Sequence, residues 1–351
     1  MSAGVDDNSG TTPVREAHRF DETALLGWMM DHVPGFIGPL TVEQFKGGQS
    51  NPTYKLITPA QSYVLRRKPP GQLLKGAHAV EREVQVLLGL AKAEFPVPHV
   101  YGLCTDEAII GTWFYVMEMV EGRVLWDATL PGIAASDRRG YFDAMNTVLA
   151  QLHMVDYGAV GLGEYGKPGN YFARQIDRWS KQYFADVDAG RDRNMERLTE
   201  WLSANVPEGD ETTLVHGDCR IDNLIFHPTE PRVLAVLDWE LSTLGHPLAD
   251  FAYNAMMYHM PPNIVAGLAG TNLVALNLPT EAEYVAAYCA RTGRSNIPHY
   301  GFYIAFNFFR LAAILHGIKG RMIRGTASSG QAAERAGAFP ELAKIGAQFV
   351  R

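Results

Sequence analysis

The apolar residues of this chain change their period close to residue 120, and that change limits the folds open to it. Before it, the short runs Val42 to Lys46, Thr53 to Thr58 and Ser62 to Arg67 read as strands. Gly47-Gly48-Gln49-Ser50-Asn51-Pro52 joins the first two and a Pro-Ala-Gln turn leads to the third, so the runs form an antiparallel meander. Pro69-Pro70-Gly71 ends the third strand, after which Val80, Val84, Leu87, Leu88 and Ala91 recur with a helical period. Pro96 and Pro98 break that helix, and Tyr101 to Leu103 and Trp113 to Met119 return to strand character, up to Glu121-Gly122. Ahead of everything lies an amphipathic helix over residues 21–33, with Leu25, Leu26, Met29 and Val33 at helical spacing and Asp21 placed to cap it.

From Ser136 onward the pattern is mainly helical, through Arg139 to His153, Tyr171 to Phe184 and Arg193 to Asn205. One β-rich island, Thr213 to Asp238, interrupts it. The expectation is an α+β chain: residues 1–19 a disordered lead-in, 20–120 a small lobe of antiparallel sheet plus helix, and 121–351 a larger, mainly helical lobe. A chain of 351 residues can bury a sizeable core in such an arrangement. Gly325 to Ala338, rich in small residues, reads as a loop.

Composition removes several classes of function. With 31 basic against 38 acidic side chains and no run of Lys or Arg that could track a phosphate backbone, nucleic acid is not expected as a partner. Cys104, Cys219 and Cys289 lie far apart, which suggests neither a disulfide framework nor a zinc knuckle and fits a reducing, cytoplasmic setting. Met1 to Thr12 is polar, with neither a basic start nor an apolar core, and reads as a lead-in and not a signal. Tyr303 to Ile318 is apolar but interrupted by Asn307, Arg310 and His316, and falls short of the roughly 20 residues of a membrane span. It is expected to be a buried or groove-lining helix.

The chemistry concentrates in Leu214-Val215-His216-Gly217-Asp218-Cys219-Arg220-Ile221-Asp222-Asn223, followed by the apolar strand Val233 to Leu237 and then Asp238-Trp239-Glu240. Phosphoryl transfer asks a protein chiefly to position a nucleophile and to neutralise charge on the γ-phosphoryl group and its metals. One carboxylate must meet the acceptor hydroxyl, while an amide oxygen and a second carboxylate hold Mg²⁺, which keeps waters and phosphate oxygens as its remaining ligands. Asp218, Asn223 and Asp238 supply those groups in that order.

On these residues the chain resembles the aminoglycoside phosphotransferase and choline-kinase-like families, whose catalytic loop reads His-x-Asp followed by Asn at the fifth position. The resemblance spans about residues 20–345. The run from His216 to Asn254, with Leu-Asp-Trp-Glu-Leu-Ser-Thr-Leu-Gly-His-Pro-Leu-Ala-Asp, is similar to the kinase-like part fused to acyl-CoA dehydrogenases of the family 10/11 type and to its free-standing bacterial counterparts. The resemblance implies a bilobal, protein-kinase-like fold, an ATP- and Mg²⁺-dependent small-molecule kinase, Asp218 as catalytic base, and Asn223 and Asp238 as metal ligands. Arg220, two residues past the base, is expected to stabilise the transferring group. His216 is expected to brace the loop through a backbone contact, Asp250 to cap and lock the helix that follows it, and Cys219 to be a small buried side chain. Glu240 is a further carboxylate that could lie near the metals.

In the small lobe the turn containing Gly47, Gly48, Ser50 and Asn51 would cover the nucleotide, its glycines letting backbone N–H groups approach phosphate. Alternation in Ser62-Tyr63-Val64-Leu65-Arg66 puts Val64 and Arg66 on the face that would meet the nucleotide. Protein kinases place a Lys here, paired with a helix Glu; this chain offers Arg66, with Glu83 as its partner, and Arg is not a neutral replacement for Lys. Arg67 and Lys68 fall on the other face or past the strand. Met117 to Gly122 resembles a kinase hinge, with the backbone of Glu118 and Val120 set to contact adenine.

Acceptor choice is expected from residues 160–210 and 255–325. Met256, Met257, Tyr258, His259 and Met260, and the aromatic run from Phe302 to Leu311, are poor in the carboxylates that a polycationic antibiotic needs. An aromatic stripe at helical spacing is usually core; with Arg310, His316 and Lys319 interspersed or just beyond, the segment also suits a partly apolar, anionic acceptor. The resemblance points to a hydroxyacyl-CoA or hydroxy acid. An antibiotic or choline-type phosphotransferase and a non-catalytic nucleotide-binding scaffold are the competing readings.

Overall fold

The computed structural model describes residues 10–46, 51–71, 78–264, 266–325 and 336–350. Gly47, Gly48 and Ser50 of the glycine turn, and most of the small-residue stretch expected as a loop after Gly325, lie outside the described residues. The chain divides into two compact units: Met1–Val124, Tyr157–Tyr165 and Asn223–Ser242 form one, and Leu125–Asp156, Gly166–Asp222 and Thr243–Arg351 form the other.

The first unit is built on a six-stranded antiparallel sheet. Its strands are β1 (Thr11–Pro13), β2 (Thr41–Phe45), β3 (Thr53–Ile57), β4 (Ser62–Arg67), β5 (Val100–Cys104) and β6 (Phe114–Glu118), in the spatial order β1-β2-β3-β4-β6-β5. The expected meander is present, with Thr41 opposite Ile57 and Tyr54 opposite Leu65. Strand β1 corrects the expectation of a lead-in without structure through residue 19: Thr11, Thr12 and Pro13 pair with Phe45, Gln44 and Glu43. Three residues are too few for alternation to show, and the proline is tolerated because β1 is an edge strand.

Helix α1 (Glu22–His32) begins where Asp21 accepts the backbone N–H groups of Thr23 and Ala24, each at 2.9 Å. It buries Leu25, Trp28 and Met29 in one core with Tyr54, Leu56, Tyr63, Leu65, Phe114 and Val116. Side chains of this kind contribute about 1.5–3 kcal/mol each when fully buried. Helix α2 (Val80–Lys92) buries Val80, Val84, Val86, Leu87 and Leu90, and, unusually for such a face, Glu83, and the short helix α3 (Glu107–Ile110) buries Ile110.

The segment Asn223–Ser242 belongs to this unit and not to the helical lobe in which the sequence places it. Its strand β9 (Leu224–Phe226) pairs with β7 (Arg123–Val124) and with β10 (Val233–Val236). The N–H of Val236 donates to the Pro96 carbonyl at 2.9 Å, and Trp239 packs edge-on to Phe95. These are pairings between distant segments, to which periodicity is blind.

The second unit is mainly helical: α4 (Ala135–Met154), α5 (Tyr171–Ala185), α6 (Arg193–Ala204), α7 (Pro247–Ala255), α8 (Glu281–Thr292), α9 (Tyr300–Ile323) and a last helix, Phe339–Gly346. Strands β8 (Thr213–Val215) and β11 (Thr243–Gly245) pair antiparallel within it. Helix α9 is 24 residues long, so its length does not fall short of a membrane span as the sequence suggested; 78% of its most apolar window is nonetheless buried inside the protein. Phe302, Tyr303, Phe306, Phe308 and Phe309 are all buried, as an aromatic stripe in a core helix should be.

Gly122 immediately precedes β7, and a Cβ built on it would lie 2.4 Å from the Phe226 carbonyl oxygen and 2.5 Å from the Ile225 side chain. Backbone cannot yield as a side-chain tip can, so Gly122→Ala is expected to force β7 from β9 and cost about 1–3 kcal/mol. Urea unfolding of the variant against the parent measures this; an unchanged midpoint refutes it.

Candidate active site

In the sheet unit four of the expected residues form one connected network. Asn51 Nδ2 donates to Glu83 Oε1 at 2.8 Å, and Tyr115 donates its hydroxyl to Glu83 Oε2 at 3.0 Å. Arg66 Nε lies 2.8 Å from that same Oε2, while Arg66 Nη2 reaches Asp238 Oδ1 at 2.7 Å and Glu240 Oε2 at 3.6 Å. Arg66 therefore meets the partner the sequence assigns it, and also a carboxylate 172 residues away. Burial works against the guanidinium charge, but Glu83 and Asp238 outweigh it and raise the Arg66 pKa. Burial likewise pushes the Tyr115 phenol well up, helped by Glu83, so it stays a donor.

Val64 is buried on the same strand. Arg67, facing the other way, is buried too, donates to the His18 carbonyl at 2.9 Å and lies over the rings of Phe20 and Tyr54. The period-two reading thus separates the two arginines correctly. At the end of β6, the Glu118 N–H donates to the His99 carbonyl at 2.8 Å, and Val120 follows outside the strand.

Asp238 adopts left-handed backbone angles, φ 65° and ψ 59°, a conformation that Asp tolerates better than most residues. Asn223 accepts the Leu237 N–H on its backbone carbonyl at 2.9 Å. The Asn223 amide and the Asp238 carboxylate are the neutral and charged hard-oxygen types that suit Mg²⁺. Glu240 is a third oxygen donor on the same short segment, already within reach of Arg66.

In the helical unit, the loop carrying Asp218 is held by its backbone. Asp250 accepts the N–H of His216 at 2.7 Å on Oδ2 and the N–H of Gly217 at 2.8 Å on Oδ1. This corrects the role expected for Asp250: the N-cap of α7 is His246, whose ring nitrogen accepts the Leu248 N–H, and Asp250 locks the loop before Asp218 instead. His153 Nε2 stands 3.2 Å from Asp250 Oδ2, and its Nδ1 meets the Tyr288 hydroxyl at 2.7 Å. Burial alone would raise the Asp250 pKa, but the His153 imidazole, His216 and the backbone N–H outweigh it and the net shift is downward.

The remaining groups close around the same loop. Arg310 Nη2 donates to the Gly217 carbonyl at 2.8 Å, and Asn254 Nδ2 donates to the Cys219 carbonyl at 3.0 Å. The Asp218 N–H reaches His216 Nδ1 at 3.2 Å, the bracing contact expected of that histidine. Cys219 is buried and its thiol is pushed well up by burial, so it offers no nucleophile. Arg220 joins the expected base directly, Nε lying 3.2 Å from Asp218 Oδ1 and Nη2 3.2 Å from Asp222 Oδ2. Tyr253, which sequence reasoning missed, donates its hydroxyl to Asp218 Oδ1.

Beside Asp218 lies a small, partly open pocket lined by Arg220, Ile221, Tyr253, Met256, Met257 and Met260, with Asn254 and Ala266 completing it. The basic groups expected to face an anionic acceptor are otherwise engaged. Arg310 is buried against the loop, while His316 bonds the Gly190 carbonyl at 2.8 Å and Lys319 the Ala189 carbonyl at 2.9 Å. Arg220 is the cation that lines the pocket among its described residues.

The sequence profile of the phosphotransferase enzyme family matches residues 41–295. The chain belongs to that family. Acyl-CoA dehydrogenase family member 10 of Mus musculus is 44% identical over 342 residues, covering 97% of this chain and 32% of that protein. Acyl-CoA dehydrogenase family member 11 of Homo sapiens is 39% identical over 359 residues, covering 99% of this chain and 45% of that protein. This phosphotransferase thus spans less than half the length of these curated relatives. Among solved structures, a Ralstonia eutropha JMP134 protein provisionally assigned as an aminoglycoside phosphotransferase is 52% identical, with a TM-score of 0.86 over 95% of this chain and 98% of its own. Choline kinase from Cryptosporidium parvum Iowa II shares the fold at 12% identity, with a TM-score of 0.62 over 92% of this chain and 96% of its own. The chain shares the kinase-like α+β fold of these phosphotransferases.

Because the Asp250 pKa is depressed in the folded state, its contribution is complete above its unfolded value of about 3.9 and is lost as the pH falls through the lower, folded value. Asp250→Ala strands two buried N–H groups and is expected to cost about 3–5 kcal/mol. Urea unfolding should give the same penalty at pH 7 and pH 5, shrinking only below about pH 4. A penalty that fades between pH 7 and pH 5 would contradict the assignment.

Proposed function

We propose that this phosphotransferase moves the γ-phosphoryl group of ATP, with Mg²⁺, to a hydroxyl of a partly apolar acceptor, a hydroxyacyl-CoA or a hydroxy acid. The observation that carries the reading is the setting of Asp218. It sits on a backbone-locked loop, it is contacted by an arginine and a tyrosine hydroxyl, and it lies beside a pocket lined by three methionines.

In the proposed reaction the acceptor oxygen forms a bond to the γ-phosphorus as the bond from that phosphorus to the β–γ bridging oxygen breaks. ADP leaves with the electron pair, and the acceptor proton passes to the Asp218 carboxylate. Asn223 and Asp238 would hold the metal. Magnesium bound there neutralises charge on the phosphate oxygens. Arg220, already beside Asp218, stabilises the transferring group. Arg66, oriented by Glu83, whose position Asn51 and Tyr115 fix, supplies positive charge to the phosphates. The N–H of Glu118 is already taken by the His99 carbonyl, so Glu118 contacts adenine through its carbonyl and Val120 through its N–H. Val64, buried on the strand that carries Arg66, lies under the base.

The acceptor class rests on the lining of the pocket. Three flexible thioether side chains and Ile221 favour a hydrocarbon chain, and the described lining residues include no carboxylate to hold a polycation. The names of the relatives, acyl-CoA dehydrogenase family members, point to acyl chemistry as well. The three cysteines are free and buried, which suits the proposed reducing, cytoplasmic setting.

The experiment is acceptor-dependent ADP release with Mg-ATP and a panel of hydroxyacyl-CoA, hydroxy acids, choline, macrolides and aminoglycosides. Hydroxyacyl-CoA or a hydroxy acid should stimulate release, and Asp218→Ala should lower the rate by about 10²- to 10⁴-fold while nucleotide still binds. A protein that binds Mg-ATP, turns over no acceptor and is indifferent to Asp218→Ala would instead be a nucleotide-binding scaffold.

A further inference from the structure

Three residues of α7 hold three consecutive parts of the loop around Asp218. Asp250 takes the backbone N–H groups of His216 and Gly217, Asn254 takes the carbonyl of Cys219, and Tyr253 takes the side chain of Asp218 itself. Positions three and four apart share one face of a helix, so a single face makes all of these contacts. The first two fix the path of the backbone. They leave the rotation of the carboxylate about its last torsion undetermined, because such torsions have broad wells.

We propose that Tyr253 is the positioning residue for the catalytic base, its hydroxyl fixing the rotation of the Asp218 carboxylate. The inference rests on the reading of Asp218 as the base. Tyr253 is well placed to do this because it is itself immobilised. It is buried, it forms a wall of the methionine-lined pocket, and the Arg310 guanidinium lies 5.3 Å from the centroid of its ring while donating to Gly217. Burial, and after it the nearby Asp218 carboxylate, raise the Tyr253 pKa, so the phenol remains a donor throughout the working pH range. Arg220 reaches the same oxygen of Asp218. A hydrogen bond from Tyr253 and an ion pair with Arg220 on one oxygen define an orientation that either alone does not. A base whose direction is set by a third group is a general requirement of proton transfer, since small misplacements carry large losses of rate.

The test is Tyr253→Phe, which keeps the ring, the pocket wall and the stacking with Arg310. The reaction followed is hydrolysis of Mg-ATP, with water in place of the acceptor, so that no acceptor need be identified. The expected result is a fall in kcat of about 10- to 100-fold with KM for ATP unchanged. In an Asp218→Asn background the same substitution should change the residual rate by less than about twofold, because residues acting as a unit are not additive. 3-Fluorotyrosine at position 253, which keeps ring and hydroxyl, should retain the parent kcat. An unchanged kcat in Tyr253→Phe, a change in KM alone, or a loss that persists undiminished in the Asp218→Asn background overturns the proposal. If the parent hydrolyses ATP no faster than Asp218→Ala, Asp218 is not the base and the positioning role falls with it; if the parent depends on Asp218 but not on Tyr253, only the positioning role fails.

Discussion

Asp250 is buried, ionised and bonded to two successive N–H groups of the loop that leads into Asp218, and the order of the helical unit follows from what that arrangement requires. A carboxylate so far from water is tolerated only when its acceptors are filled. Two backbone donors and His153 fill them, and Tyr288 in turn orients His153. The chain of contacts ties α4, α7 and α8 to one turn of backbone. Gly217 can pass through that turn with φ 84° because it has no Cβ. Arg310 from α9 then closes the turn through the Gly217 carbonyl.

The sheet unit has a counterpart in Arg66. A buried cation facing Glu83, Asp238 and Glu240 is a poor way to gain stability, because desolvation offsets most of the attraction between the charges. An apolar cluster of equal volume would serve a fold as well. What the charges do provide is a defined direction: Glu83 is fixed by Asn51 and Tyr115, so Arg66 is fixed by Glu83. The connection from Arg66 to Asp238 means that the residue proposed for phosphate and the residue proposed for metal are oriented together.

Much of this was legible in the sequence, and the limit is physical. Features written in neighbouring residues could be read: the Asp21 cap, the meander, the buried aromatic face of α9, the bracing of the loop by His216. Arg66 could be read because alternation places it with Val64 on one face of its strand, and Glu83 because protein kinases pair the residue at that place with a helix Glu. The cap role assigned to Asp250 was wrong because its true partners lie 33 and 34 residues earlier, which local capping rules do not weigh. Strand β1 is too short to alternate, and the place of Asn223–Ser242 in the sheet unit depends on pairing with β7 and Pro96. Arg310, His316 and Lys319 looked available to an anion because carbonyl acceptors leave no mark in a sequence.

Tyr253 is the instructive omission, since nothing in its neighbourhood distinguishes it from a core aromatic. Its helix carries the loop anchors and is followed at once by Met256, Met257 and Met260, which line the pocket. The elements that hold the base and those that receive the acceptor are therefore consecutive in the chain. A substitution that reshapes the pocket from this segment also displaces the end of the helix that grips Asp218. Binding and chemistry cannot then be tuned independently from α7, and a change of acceptor within this architecture should come more readily through pocket residues outside it, such as Ile221 or Ala266, than through the methionines.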